Sequence, residues 1–244
     1  MKEHTERFRK SDILILVTGL VGAGRSTFIN DILGKPRMKV GNPGSMLTCT
    51  TSIDYAIVDV CNKDYRLIIV DTPGFDDTHK RDAEVLDEIS AWLHRYFPKG
   101  IVRGGVIYLH DISKDRYHAI ANADLAILDR SFRGLGKAYR RVTIATTKWT
   151  RIDDKKGTSR QGELESRWQQ LISGGSKVHR FKESADAWKI VNDLISTLET
   201  ETELNIEELV ELRKSCQGHT NTERIDMSKA LNRLVRILFS VARR

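Results

Sequence analysis

The sequence is short of the residues that staple or shape small secreted folds. Among 244 residues there are three cysteines and four prolines, and aromatics make up only 7%. Cys49, Cys61 and Cys216 are odd in number and form no C-x-x-C pair, which argues against a disulfide framework or a zinc knuckle. A reducing, cytoplasmic setting is the matching expectation. Long apolar runs are missing as well: residues 13–17 are among the longest, far too short to span a bilayer. The opening MKEHTERFRK is charged and lacks the apolar centre of a secretory signal. No internal repeat and no low-complexity tract is found. What is plentiful is charge. Lys and Arg number 40 against 33 Asp and Glu, a net +7. That balance favours anionic partners without choosing between nucleotides, nucleic acid and lipid headgroups. No motif for reading nucleic acid accompanies it.

Residues 12–18 are a continuous apolar run, as expected of a strand buried on both faces. Residues 53–60, 66–71, 105–110 and 141–147 resemble it. Helix-period stretches fall at 26–33, 82–96, 122–139, 162–172 and 184–198. Strands alternating with helices predict an α/β fold, a mostly parallel central sheet with helices on both faces. Three segments read as loops: 35–51, 72–81 and a polar insertion at 148–161. The division expected is an N-terminal arm (1–11), a main α/β domain (12–198) and a helical C-terminal extension (199–244). That extension is acidic up to Glu211 and basic after Gly218. Packing on the domain is the preferred role for its amphipathic end, 229–244, ahead of contact with an anionic membrane.

One motif carries the chemistry. Gly19-Leu20-Val21-Gly22-Ala23-Gly24-Arg25-Ser26-Thr27 follows the first strand and opens the first helix. Its spacing is that of the phosphate-binding loop G-x-x-x-x-G-K-[ST], with Arg25 where lysine is expected. Glycines at these positions let successive backbone N–H groups turn inward on a phosphate, and the helix N-terminus adds its positive dipole end. Ser26 offers a hydroxyl to Mg²⁺ and Arg25 a charge to the β/γ oxygens. A guanidinium is larger and planar where an ammonium is a compact point charge, so geometry and rate are the exposed quantities.

Asp71-Thr72-Pro73-Gly74 closes a strand and reads as D-x-x-G. Asp71 then stands behind the metal, and the Gly74 N–H faces the γ-phosphate. Of Thr48, Thr50 and Thr51 in the preceding loop, Thr50 is favoured as the second Mg²⁺ hydroxyl. Thr147-Lys148-Trp149-Thr150 occupies the place of an [NT]KxD base-reading motif. Lys148 packs on the base, and Trp149 either flanks the purine or fills core. Thr150 stands where the carboxylate that reads guanine belongs, so the choice between guanine and adenine stays open, with Asp153 and Asp154 as nearby substitutes. A catalytic glutamine after D-x-x-G is replaced by Phe75. Asp76, Asp77 and His79 are candidates to compensate, as are Arg103 and Arg116 delivered by a partner subunit.

These motifs, in this order and with GGVIYLHDIS and HRFKESADAWKIV between and after them, resemble P-loop GTPases of the septin and immunity-associated group. The similarity extends to G-domain proteins of mushroom-forming fungi. The resemblance covers about 12–198 and implies a Ras-like G domain that binds GTP and Mg²⁺ and dimerises across its nucleotide face. The motifs themselves give an expected catalytic set of Arg25, Thr50, Gly74 and Asp76. The same motifs give expected nucleotide contacts from Val21, Gly22, Ala23, Gly24, Arg25, Ser26, Thr27, Thr147, Lys148 and Trp149, and a metal set of Ser26, Thr50 and Asp71. The expected reaction is slow hydrolysis of GTP, with ATP and ADP left open as ligands. The competing expectation is a nucleotide-holding interaction module without turnover.

Overall fold

Ile13–Gly19 forms strand β1, with all seven residues buried. It lies between β3 (Arg66–Asp71) and β4 (Ile101–Asp111), parallel to both. β5 (Val142–Thr147) and β6 (Lys177–Arg180) continue the sheet in parallel beyond β4. β2 (Asp54–Asp59) pairs antiparallel with β3 and makes the order β2-β3-β1-β4-β5-β6. The segment joining β2 to β3 is too short for the crossover a parallel pair needs, so this edge is a hairpin. The computed structural model describes residues 8–9, 11–41, 52–74, 82–97, 101–114, 136–198 and 204–205. The expected mostly parallel α/β sheet is present.

Alternation along the strands sends two sets of side chains to opposite faces. Leu14, Leu16, Ile68 and Val70 pack with Val85, Ile89 and Leu93 of helix α2 (Asp82–Tyr96). Ile13, Ile15 and Val17 pack instead with Phe28 and Ile29 of α1 (Arg25–Leu33) and with Ile190, Val191 and Leu194 of the helix at Ser184–Leu198. Phe8, within the expected N-terminal arm, joins Tyr55, Trp92, Tyr96 and Phe97, with ring centroids 5.1–6.0 Å away.

Several expectations need correction. The polar segment 148–161 is not a loop: a 3₁₀ turn at Trp149–Arg151 leads into helix α3, Asp154–Arg167. The side chain of Asp153 caps this helix by accepting from the Lys155 and Lys156 amides. Its buried residues are Gly157, Gln161 and Leu164. Only one of those is a large apolar residue, so the helical period leaves almost no hydrophobic trace. The expected helix 162–172 is divided at Trp168 between α3 and α4 (Gln169–Ser173). β6 was not anticipated; the last helix of the domain, α5, occupies Ser184–Leu198 as expected. For the expected helix 122–139, residues 136–141 form a 3₁₀ turn and the rest lies outside the described residues. In the C-terminal extension only Leu204–Asn205 is described. It is a strand, β7, paired antiparallel with Ile101 and Val102 at the start of β4 rather than helical.

Candidate functional site

Ligands of parallel α/β sheets bind beyond the carboxyl ends of the strands. Here β1, β3, β4 and β5 deliver Gly19, Asp71, Asp111 and Thr147 to that edge. The loop after β1 ends at Gly24, which caps α1 in the left-handed region (φ 96°). No side chain caps this helix and no acidic residue occupies its first turn. Its N-terminal amides and dipole are therefore directed at whatever anion enters the loop. Val21 and Gly24 are partly exposed, Gly22 and Thr27 exposed and Ala23 buried.

Arg25, the first residue of α1, folds back under the loop. Its Nη1 donates to the carbonyls of Gly19 at 2.7 Å and Leu20 at 2.8 Å. Its Nε lies 3.7 Å from Oδ1 of Asp71, and both side chains are buried. The Ser26 hydroxyl donates to Oδ2 of the same carboxylate at 2.7 Å. Thr72 fixes this strand end by donating its hydroxyl to the Val17 carbonyl at 3.0 Å. A Cβ placed on Gly74 would stand 2.8 Å from Arg25 Nη2 and from Val21 Cγ2. Residues 72–74 therefore sit directly against the phosphate loop, so close that a side chain at 74 would have to displace Arg25 and Val21.

The Ser26–Asp71 pair suits Mg²⁺, a hard cation bound through one or two oxygen side chains plus substrate phosphates rather than by an all-protein cage. Among the described residues, no cluster of three His, Cys, Asp or Glu offers such a cage. Thr50 and Asp76 lie outside the described residues, as do Thr48, Thr51, Phe75, Asp77, His79 and Arg116. Arg103 is in β4, paired with Ile13 at the start of β1 and so far from the loop edge.

The base-side motif is wired to the phosphate loop. The Thr147 hydroxyl lies 2.9 Å from the Ala23 carbonyl and 3.3 Å from that of His110. Lys148 has left-handed backbone (φ 60°) and points its Nζ at Asp111 Oδ2, 3.1 Å away. Asp111 escaped the sequence reading. The available signal was a carboxylate at the end of an apolar strand, the same signal that singled out Asp71. Burial pushes the Asp111 carboxyl up, but bonds from the Ser113 hydroxyl and amide and the charge and bond of Lys148 outweigh it and hold it below its ordinary range.

Trp149 is turned to packing. Its indole is buried over Gly157, donates to the Thr146 carbonyl at 3.0 Å, and carries the Arg180 and Lys182 cations 4.5 and 4.9 Å from its ring centre. Thr150 is exposed on the 3₁₀ turn. The two carboxylates near it are engaged elsewhere: Asp153 caps α3, and Asp154 pairs with Lys182 at 2.6 Å.

His110, beside Asp111, meets Trp168 edge-on at 5.6 Å. Burial lowers its pKa from 6.5 to about 4, against the pull of Asp111. The folded chain therefore binds fewer protons here than the unfolded chain. The resulting stability is complete above pH 6.5 and is lost as the pH falls towards 4. The loss is at most about 3 kcal/mol by linkage, discounted for the residue's partial exposure. Urea unfolding at pH 7 and pH 4.5 reads this directly, and His110→Asn flattens that part of the pH dependence.

Comparison with known proteins bears on this geometry. No curated protein matched the sequence. Among solved structures, Toc33 from Arabidopsis thaliana in complex with GDP and Mg²⁺ superposes with a TM-score of 0.57 at 12% identity, covering 80% of this chain and 88% of Toc33. A structure of the chloroplast translocon components atToc33 and psToc159 gives 0.55 at 13% identity, over 78% and 84%. The bacterial selenocysteine-specific elongation factor EF-Sec gives 0.52 at 18% identity, over 79% of this chain and 29% of that longer one. At such identities the likeness shows a shared fold. The model of the 50S ribosome-binding GTPases is more specific, because it matches residues 14–148 from β1 through Lys148. With more than half of the sequence matched, and with the phosphate loop, Asp71 and Lys148 inside that span, the chain belongs to the 50S ribosome-binding GTPase family and is a P-loop GTPase G domain.

Proposed function

We propose that this chain binds GTP with Mg²⁺ and hydrolyses it slowly to GDP and phosphate, with weak discrimination against ATP. The observation that carries this reading is the Ser26 hydroxyl on the Asp71 carboxylate, 2.7 Å apart, at the mouth of an uncapped helix. That pair joins the two motifs a P-loop hydrolase uses to hold its metal. When bound, Mg²⁺ supplies charge neutralisation between the β- and γ-phosphate oxygens. The chain supplies the rest. Amides of Val21, Gly22, Ala23 and Gly24 line the loop, and Thr27 lies exposed one residue beyond Ser26. Arg25 offers its guanidinium to the β/γ oxygens, Gly74 its amide to the γ-phosphate, and Lys148 its stem to the base. Thr50 and Asp76 complete the metal and water sides of this proposal. Trp149 contributes by fixing the base-side turn from beneath. Slow turnover rests on Phe75, whose side chain has no group to orient water. The proposed catalytic unit is 12–198, with 1–11 and 199–244 as appendages and a second copy across the nucleotide face as partner. The proposed setting is cytoplasmic; among the described residues no helix is long and apolar enough to cross a membrane.

Calorimetry with Mg²⁺ and GTP, GDP, ATP or ADP, followed by a phosphate-release assay, tests the reading. Binding with only a modest guanine preference is expected, together with slow release of phosphate. Binding without release turns the protein into a nucleotide-holding module, and no heat with any purine nucleotide removes the proposal. The weak preference has a cause that mutation reverses. Thr150 presents no carboxylate, while Asp153 and Asp154 hold other partners. Thr150→Asp is expected to raise the GTP-over-ATP affinity ratio by at least about tenfold, the scale of a charged acceptor restored to buried donors.

A further inference from the structure

Arg25 departs from the P-loop consensus by more than size. Lysine carries one nitrogen at its tip, whereas the Arg25 guanidinium spreads over several contacts at once. Nη1 is held by the Gly19 and Leu20 carbonyls, Nε faces Asp71, and the head closes on Gly74, with both Nη atoms within 3.0 Å of where a Cβ there would be. Val21 closes on the same glycine from the loop side. Among the described residues, the space between the phosphate loop and Gly74 is thus taken up by one cation and one branched aliphatic side chain. On the reading proposed above, that gap is where the third phosphate enters.

We infer that Arg25, assisted by Val21, makes phosphate-chain length the main selectivity of this site, which takes nucleoside diphosphates in preference to triphosphates. A diphosphate occupies the loop amides and the helix N-terminus and meets the guanidinium through its β oxygens without drawing it off Asp71 and the two carbonyls. A triphosphate needs the guanidinium to leave charge-assisted bonds in a buried setting before it gains new ones to the γ oxygens. Any energy spent on that rearrangement is subtracted from triphosphate affinity alone. A lysine reaching from the same position has no planar head to wedge against Gly74 and leaves the gap open.

The inference rests on the nucleotide-site reading, and one experiment separates their failures. Calorimetry with Mg²⁺·GDP and with a non-hydrolysable Mg²⁺·GTP analogue is run on the whole chain and on Arg25→Lys and Val21→Ala. Wild type is expected to bind the diphosphate at least about tenfold more tightly. Arg25→Lys is expected to bring the two affinities within about threefold, chiefly by tighter triphosphate binding, and Val21→Ala to move the ratio part of the way. Equal affinities in wild type, or a ratio unchanged in both variants, overturns the inference while leaving the site itself standing. No heat with either ligand in wild type and in Arg25→Lys overturns both. Melting temperatures of the variants confirm that each is folded, and Val21→Ala carries the test should Arg25→Lys fail to fold.

Discussion

Ser26→Ala is expected to lower kcat/KM for GTP by at least about 100-fold, because the metal's contribution to transition-state charge is several kcal/mol and each 1.36 kcal/mol is a factor of ten. The hydroxyl lost is the one that donates to Asp71 Oδ2 at 2.7 Å. On the proposed reading, it is the same oxygen that faces Mg²⁺ when nucleotide is bound. Loss of a hydrogen bond to a buried carboxylate costs the fold about 1.5–3 kcal/mol, so melting falls by a few degrees and the variant stays folded while turnover collapses. That disparity separates a metal ligand from a packing residue. Two further measurements sharpen it. Nucleotide affinity of Ser26→Ala in EDTA is expected to match wild type, with the Mg²⁺-dependent gain abolished. Ser26→Thr, which keeps the hydroxyl on the same helix turn, is expected to restore most of the activity. Equal kcat/KM for wild type and Ser26→Ala at saturating Mg²⁺ would remove Ser26 from the metal site.

The features the sequence discloses most readily are those with a strong local signal. β1 is an unbroken apolar run, and the glycine spacing after it matches a single known geometry, so both are readable residue by residue. α2 and α5 carry strong amphipathic periods and lie at 82–96 and 184–198, as the periodicity predicts. α3 is the counterexample: its stability depends on the Asp153 cap and on Gly157, Gln161 and Leu164 facing inward, a pattern the hydropathy of the segment hides. β6 is short and only partly buried, so its four residues carry no clear alternation. Within the site, positions follow from motifs, whereas partners do not. Nothing in the sequence assigns Asp111 to Lys148, because residues far apart in the chain meet only once β4 and β5 pair in register, Asp111 opposite Thr147. The side chain of Arg25 belongs to the same class. Its identity is visible in the motif, and its wedging against Gly74 emerges only from the approach of β3 to the loop.

The opposite edge of the sheet supplies the largest expected effect on stability. Asp12, just before β1, and Arg66, the first residue of β3, form a two-point ion pair with Nε to Oδ1 at 3.0 Å and Nη2 to Oδ2 at 2.8 Å. Asp12 is fully buried and also accepts from the Arg9 amide at 2.7 Å. Asp12→Ala leaves a guanidinium in the interior without this carboxylate, a change of about 3–5 kcal/mol for a buried pair broken on one side. In a domain of this size that amounts to roughly 10 °C in melting temperature. The pair as a whole is worth much less than either half, since desolvating two charges offsets most of their attraction. Asp12→Leu combined with Arg66→Met is therefore expected to recover most of the loss from Asp12→Ala, which thermal melts of all three proteins would show. Nucleotide affinity of the double variant is expected to equal wild type, because β1 is about 20 Å long at strand rise and the phosphate loop stands at its far end. A double variant no more stable than Asp12→Ala would show instead that the loss comes from the Arg9 amide bond, with Arg9 and Asp12 acting as a clamp on the strand's entry. In that outcome the 2.7 Å bond from the Arg9 amide, rather than the Arg66 charge, is the interaction to mutate around next.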